Sequence, residues 1–163
     1  MRGQIKVKRV LIFSDSHGNT NRCLDIIRSA ENVSAVIHAG DCVEDAEDLS
    51  YVYPQIPVYY VKGNNDFFTN APSHMTVIID GVRIFISHGH EERVKYESDY
   101  RTLRLKAKEA NAEMAVFGHT HISHISYDGG ITMVNPGSIT FGATYAVAEI
   151  EAGKINVKIE EYI

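Results

Sequence analysis

The chain predicts an α/β protein in which a parallel sheet is laid down first and antiparallel strands are added later. Three features carry that expectation. Up to Val61, apolar segments of strand length alternate with segments of helical period. Beyond Ser73, short apolar segments are separated mainly by glycine-containing turns. Most of the unusual polar residues follow directly on an apolar segment, where the strands of an open α/β sheet deliver residues to a shared crevice.

Val10 to Phe13 is a wholly apolar strand core. Asn19-Thr20 then offers an N-cap for a helix in which Cys23, Leu24, Ile27 and Ala30 recur at helical spacing. Val33 to Ala39 is a second apolar strand, the acidic stretch Val43 to Leu49 a second helix, and Val58 to Val61 a third strand. That alternation implies mostly parallel pairing, because each crossover returns the chain to the same end of the sheet. After a polar loop from Lys62 to Ser73, Met75 to Ile79 and Val82 to Ile86 flank Asp80-Gly81, a dipeptide that favours a tight hairpin. Tyr100, Leu103, Ala107 and Ala110 mark one face of a third helix that Ser98 or Asp99 would cap. The remaining strands are Met114 to Phe117, Ile122 to Tyr127, Ile131 to Val134, Ala146 to Ile150 and Ile155 to Ile159. Asp128-Gly129-Gly130, Asn135-Pro136-Gly137-Ser138 and Ala152-Gly153 stand between the later ones.

With 163 residues, 44% hydrophobic and 23% charged, one domain over 1–163 with a real core is expected. No repeat or linker-like stretch divides it. Sixteen Lys and Arg against 21 Asp and Glu leave a formal charge of -5, which excludes a basic stripe for long nucleic acids. Cys23 and Cys42 have neither metal-binding nor redox spacing, so a reducing compartment and a cytoplasmic location are expected. The basic group Arg2, Lys6, Lys8 and Arg9 precedes only four apolar residues, too few for a signal core or a membrane span.

The chemistry gathers beyond strand ends. Asp15-Ser16-His17, Gly40-Asp41, Gly63-Asn64-Asn65-Asp66, His88-Gly89-His90 and Gly118-His119-Thr120-His121 each follow a predicted strand. Carboxylates, a carboxamide and several imidazoles are oxygen and borderline nitrogen donors that suit Mn, Fe, Co, Ni or Zn. The set is too large for one ion, and a two-metal site needs a shared carboxylate, for which Asp41 is the natural bridge. Taken singly each motif has a plain structural explanation: Asp15 as a helix cap, Gly40-Asp41 as a turn, Gly63 to Asp66 as a loop. Their joint order carries the metal reading. His38, inside a strand, reads as a hydrogen-bonded core residue, Cys42 as a small packed residue, and Glu44, Asp45, Glu47 and Asp48 as a solvated helix face.

These motifs in this order resemble those of the calcineurin-like metallophosphoesterases. The short chain and the Asn135-Pro136-Gly137-Ser138 segment make it most similar to their small, uncapped phosphodiesterase branch in bacteria and archaea. The resemblance spans Asp15 to Ser138 and implies a four-layer α/β/β/α sandwich of two mixed sheets. It implies that Asp15, His17, Asp41 and His121 hold one divalent ion and that Asp41, Asn64, His88 and His119 hold the other. Mn2+ is the metal expected first, with Ni2+, Fe2+, Co2+, Zn2+ and Mg2+ as alternatives. Hydrolysis of a small phosphodiester by a metal-activated hydroxide follows, with Asn64 and His119 in the catalytic set. His90 would touch the phosphate or support His88, and Asp66 would orient the Asn64 loop. Many relatives carry His where this chain has Asn65, and Asn cannot act as a general acid at neutral pH.

Two other functions compete. The same fold occurs in a retromer subunit that acts as a scaffold and has lost ligands, whereas every ligand position is filled here. A nuclease would be restricted to short oligonucleotides by the charge balance. A homo-oligomer, dimer or tetramer, is compatible with either.

Overall fold

The computed structural model describes residues 6–163; Arg2 of the basic group, like the rest of the first five positions of the expected domain, lies outside the described residues. Two five-stranded sheets organise the chain. In the first, β1 (Lys8–Phe13), β2 (Val33–His38) and β3 (Val58–Tyr60) run parallel, and β9 (Thr144–Glu151) and β10 (Lys154–Glu161) extend it antiparallel beside β1. In the second, β5 (Val82–Ser87), β6 (Met114–Val116) and β8 (Ile131–Asn135) are parallel, with β4 (His74–Ile79) and β7 (His124–Asp128) antiparallel at the two edges. Both sheets are therefore mixed.

The period of two along each strand creates the layers. Val10 and Ile12 of β1 face a central core shared with Ile84, Ile86, Met114 and Val134 of the other sheet. Leu11 and Phe13, the alternate residues, face outward and meet Cys23, Ile26 and Ile27 of α1 (Thr20–Ser29) and Leu49 of α2 (Val43–Val52). On the other side Phe85, Ala115 and Met133 pack against Leu103 and Ala107 of α3 (Arg101–Glu109). The result is helix, sheet, sheet, helix. Each large apolar side chain fully buried in these cores contributes about 1.5–3 kcal/mol.

The hairpin expected at Asp80-Gly81 joins β4 to β5, with both residues at positive φ, 47° and 82°, as its twist requires. The helix caps differ from expectation. Asn19 precedes α1 but makes no side-chain cap hydrogen bond. Neither Ser98 nor Asp99 caps α3: the Glu97 carboxylate accepts from Thr102 N and Oγ1 at 2.8 and 2.6 Å. A longer side chain from one residue further back reaches the free N–H groups when the chain enters through Tyr100 in a left-handed conformation.

Candidate metal centre

The loops that follow β1, β2, β3, β5 and β6 meet at one edge of the sandwich. Backbone hydrogen bonds tie them together: Asp15 N donates to Gly40 O at 2.9 Å, His17 N to Asp41 O at 3.3 Å, and Gly118 N to His88 O at 2.9 Å. Asp15, His17, Asp41, His119 and His121 all hold positive φ, between 46° and 70°. Such strain costs of order 1–3 kcal/mol per residue and persists only where the surroundings enforce it. Two glycines show how close the approach is. A Cβ on Gly63 would lie 1.9 Å from Asp41 Oδ1, and one on Gly118 would lie 2.0 Å from Ser14 Oγ and 2.6 Å from Asp15 Oδ2.

Two carboxylates stand among imidazoles. Asp15 Oδ1 lies 3.2 Å from His121 Nε2, 3.8 Å from His17 Nε2 and 3.8 Å from His88 Nε2. Asp41 Oδ2 lies 3.4 Å from His88 Nε2 and 4.0 Å from His17 Nε2. The donors of Asp15, His17 and His121 fall within 4.8 Å of one another, and so do those of Asp15, Asp41 and His88. The two groups share Asp15, while Asp41 faces both sides through His17 and His88. Asn64 Oδ1 is 3.0 Å from His88 Nε2. His119 stands outside both groups, its ring 5.1 Å from that of His88 and 6.1 Å from that of His90.

One oxygen tests whether this arrangement fits a cation. Asp15 Oδ2 accepts from Ser14 Oγ at 2.5 Å and from His119 N at 3.0 Å, yet Oδ1 is buried without a hydrogen-bond partner. A buried carboxylate oxygen is costly when unpaired. Here it is turned toward three imidazole nitrogens, a donor set that suits a divalent ion.

Other residues fix these donors, and the sequence pattern alone did not single most of them out. His88 Nδ1–H donates to Ala39 O at 2.7 Å, which orients the ring and leaves Nε2 toward the carboxylates. Asn65 donates to both oxygens of Asp41, through its backbone N at 3.0 Å and Nδ2 at 2.8 Å. Asp66 accepts from Asp41 N, Val43 N and Gly63 N at 3.0, 2.9 and 2.7 Å, linking the Asn64 loop to the Asp41 loop and closing the start of α2. Ser138 Oγ donates to Asp15 O at 2.8 Å, and Asn135 Nδ2 to Gly118 O at 3.0 Å. Asp45 departs from the solvated face expected of it. It is buried and accepts from Gly18 N and Thr20 Oγ1 at 2.8 and 2.7 Å, because α2 turns that residue against the Asp15 loop. An acidic run has no period that marks one member as internal.

Phe141, 65% exposed, stacks on His121 with ring centroids 5.1 Å apart and lies 5.2 Å from His17. His38 is fully buried, with Nε2 2.8 Å from Ser16 Oγ and Nδ1 accepting from Gly40 N at 3.2 Å. It is the hydrogen-bonded core residue expected.

Burial works to raise the Asp41 carboxyl, but the hydrogen bond and charge of His88 and the donors of Asn65 hold it below the usual carboxylate range. Burial equally disfavours protonated His88, yet Asp41 and Asp15 beside it raise its pKa. Burial and the neighbouring His88 push His119 down to about 4, and the same two causes lower His90.

A double-sheet sandwich that gathers carboxylates and imidazoles from successive strand ends around a buried oxygen without a hydrogen-bond partner defines the class: an α/β/β/α protein with a candidate cation site at its sheet edge. The chain belongs to the calcineurin-like phosphoesterase superfamily, whose domain model matches residues 9–153. It is 31% identical over 156 residues to the probable metallophosphoesterase YsnB of Bacillus subtilis, covering 91% of this chain and 88% of that protein. It is 25% identical over 146 residues to the phosphodiesterase MJ0936 of Methanocaldococcus jannaschii, covering 79% and 82%. Among solved structures, a predicted phosphoesterase from Streptococcus pneumoniae superposes with a TM-score of 0.81 at 26% identity, covering 98% and 92%. Vacuolar protein sorting 29 from Cryptosporidium parvum shares the fold, with a TM-score of 0.75 at 20% identity and coverage of 98% and 99%.

Proposed function

We propose that the protein is a phosphodiesterase that hydrolyses small phosphodiesters with two divalent ions, Mn2+ first among them. Asp15, His17, Asp41 and His121 would hold one ion, and Asp41, Asn64, His88 and His119 the other. The observation that carries this reading is Asp15 Oδ1, buried, unpaired and turned toward His17, His88 and His121. Bound divalent ions supply Lewis acidity toward phosphate oxygens and a water that is nucleophilic near neutral pH.

The chain's own residues prepare that chemistry. Asn65 and His88 keep Asp41 ionised, and a depressed pKa keeps His119 neutral at pH 7. Asp66, with both carboxylate oxygens accepting backbone N–H groups, positions the Asn64 loop, and its part in catalysis is read as indirect. Asn65, committed to Asp41, does not replace the His that many relatives carry for the leaving group. His90 stands beside His88 and His119 with a buried, unpartnered Nδ1, as a residue near the phosphate would. The likeness to an archaeal phosphodiesterase supports the choice of diesters.

No helix among the described residues is long and apolar enough to cross a membrane. The free cysteines Cys23 and Cys42 support a reducing, cytoplasmic setting.

The test is release of nitrophenolate from bis-p-nitrophenyl phosphate with Mn2+, compared with Asp41→Asn and His119→Ala. The parent is expected to be active and each variant to lose at least about 100-fold in kcat/KM. Variants that matched an active parent would displace the assigned site. A folded parent without Mn2+-dependent hydrolysis would leave the scaffold reading.

A further inference from the structure

A cavity of about 570 Å³ opens beside the candidate centre, with Val94, Lys95, Tyr96, Tyr100, Thr120 and Ile122 among its walls. Thr120 lies between His119 and His121 and is held in place, its Oγ1 accepting from Asn135 Nδ2 at 3.0 Å and from Ile122 N at 3.1 Å. The cavity and the centre thus share one fixed wall.

Two large side chains stay open to solvent here, Tyr96 at 80% and Ile122 at 68% exposure. The Arg93 guanidinium lies over the Tyr96 ring, 5.7 Å from its centroid. Lys95 is the cation this wall offers a ligand, while the Glu97 carboxylate is engaged by Thr102 at the start of α3. An aromatic face, an aliphatic face and one cation, in a space of ligand size next to donors for a phosphate centre, form a defined chemical pattern.

We propose that this cavity receives one arm of the diester, and that the arm combines a flat ring with a second anionic group, as a nucleotide does. Tyr96 and Ile122 pack against the ring, and Lys95 pairs with the anion. The net charge of -5 and a wall whose cation among the described lining residues is Lys95 suit one further phosphate rather than a polymer. The inference rests on the phosphodiesterase reading and names the substrate class of that site.

The test uses calorimetric titration of the full chain with a nucleoside 3′,5′-bisphosphate, a nucleoside 5′-monophosphate and inorganic phosphate, with EDTA and again with Mn2+. The parent should bind the bisphosphate most tightly and phosphate most weakly. Lys95→Ala should lose about tenfold toward the bisphosphate and erase its advantage over the monophosphate. Tyr96→Ala should weaken both nucleotides at least about tenfold more than phosphate. Equal binding of all ligands by the parent, or variants that weaken every ligand equally, would overturn the proposal.

Hydrolysis separates the two readings. Turnover of methyl p-nitrophenyl phosphate without preference for thymidine 5′-p-nitrophenyl phosphate would remove the nucleotide arm and keep the phosphodiesterase. Turnover of neither ester would remove the phosphodiesterase, and the titrations alone would then decide the cavity.

Discussion

Asn65, the third residue of Gly63-Asn64-Asn65-Asp66, serves Asp41. Its side chain and backbone donate to the two oxygens of that carboxylate. Asn65→Ala removes the side-chain donor and leaves the backbone one. We expect Mn2+ affinity to fall about tenfold by calorimetry, the usual effect of losing a partner behind a ligand. Unchanged affinity would show that the carboxamide does not tune Asp41. Gly63 makes a harsher case, because a methyl group there would sit 1.9 Å from Asp41 Oδ1. Gly63→Ala is expected to lower kcat/KM toward bis-p-nitrophenyl phosphate at least about 100-fold, with the far-ultraviolet circular dichroism of the parent. Parental activity would mean that Asp41 can move without consequence.

The start of α2 and the loop after β3 are joined through Asp66, whose carboxylate accepts three backbone N–H groups. Hydrogen bonds to a charged acceptor are worth about 1.5–3 kcal/mol each and overlap when they share one group. Asp66→Ala should therefore cost about 3 kcal/mol in urea unfolding and weaken metal binding as the Asp41 loop loosens. A loss below about 1 kcal/mol would show that the loops hold their places without it. Asp45 plays the matching part between α2 and the Asp15 loop. The strand segments and the period of each helix were visible in the sequence, since apolar spacing reports them directly. Asp66 was legible as an orienting residue from its place in the Gly-Asn-x-Asp motif, while Asp45 lay hidden in an acidic run.

The molecule as a whole responds to acid through its buried imidazoles. Burial keeps the pKa values of His38, His90 and His119 below the ordinary value of 6.5, the last at about 4. Between 6.5 and those lowered values the unfolded chain binds protons that the folded chain refuses. Stability is thus complete above pH 6.5 and is lost as pH falls through that window. His88 acts in the opposite sense: its pKa is raised, so its contribution is present below 6.5 and fades as pH rises through the raised value. His124, whose pKa burial also lowers, acts with His38, His90 and His119; four groups oppose one, so the metal-free protein should melt at a lower temperature at pH 5 than at pH 7 in EDTA. An equal or higher Tm at pH 5 would contradict the neutral state of these rings. In the Mn2+-loaded protein, metal content by elemental analysis should fall between pH 7 and pH 5, because a protonated imidazole cannot ligate. Constant content would count against the histidine donors.

Residue order alone carried the parallel strands alternating with helices, the later antiparallel strands, the strand ends that bear the motifs and the donor types at each, because apolar period and glycine placement act locally along the chain. The pairing into two mixed sheets followed only from the family resemblance. Only the packed chain decided which carboxylate oxygen is left without a hydrogen-bond partner, that Asn65 serves Asp41, that Asp45 is internal, and that Tyr96, Lys95 and Thr120 line one cavity. Those outcomes depend on contacts between segments far apart in the chain, such as Ser138 on Asp15 and Ala39 on His88. Such contacts are set by how the layers pack, and local spacing does not encode them.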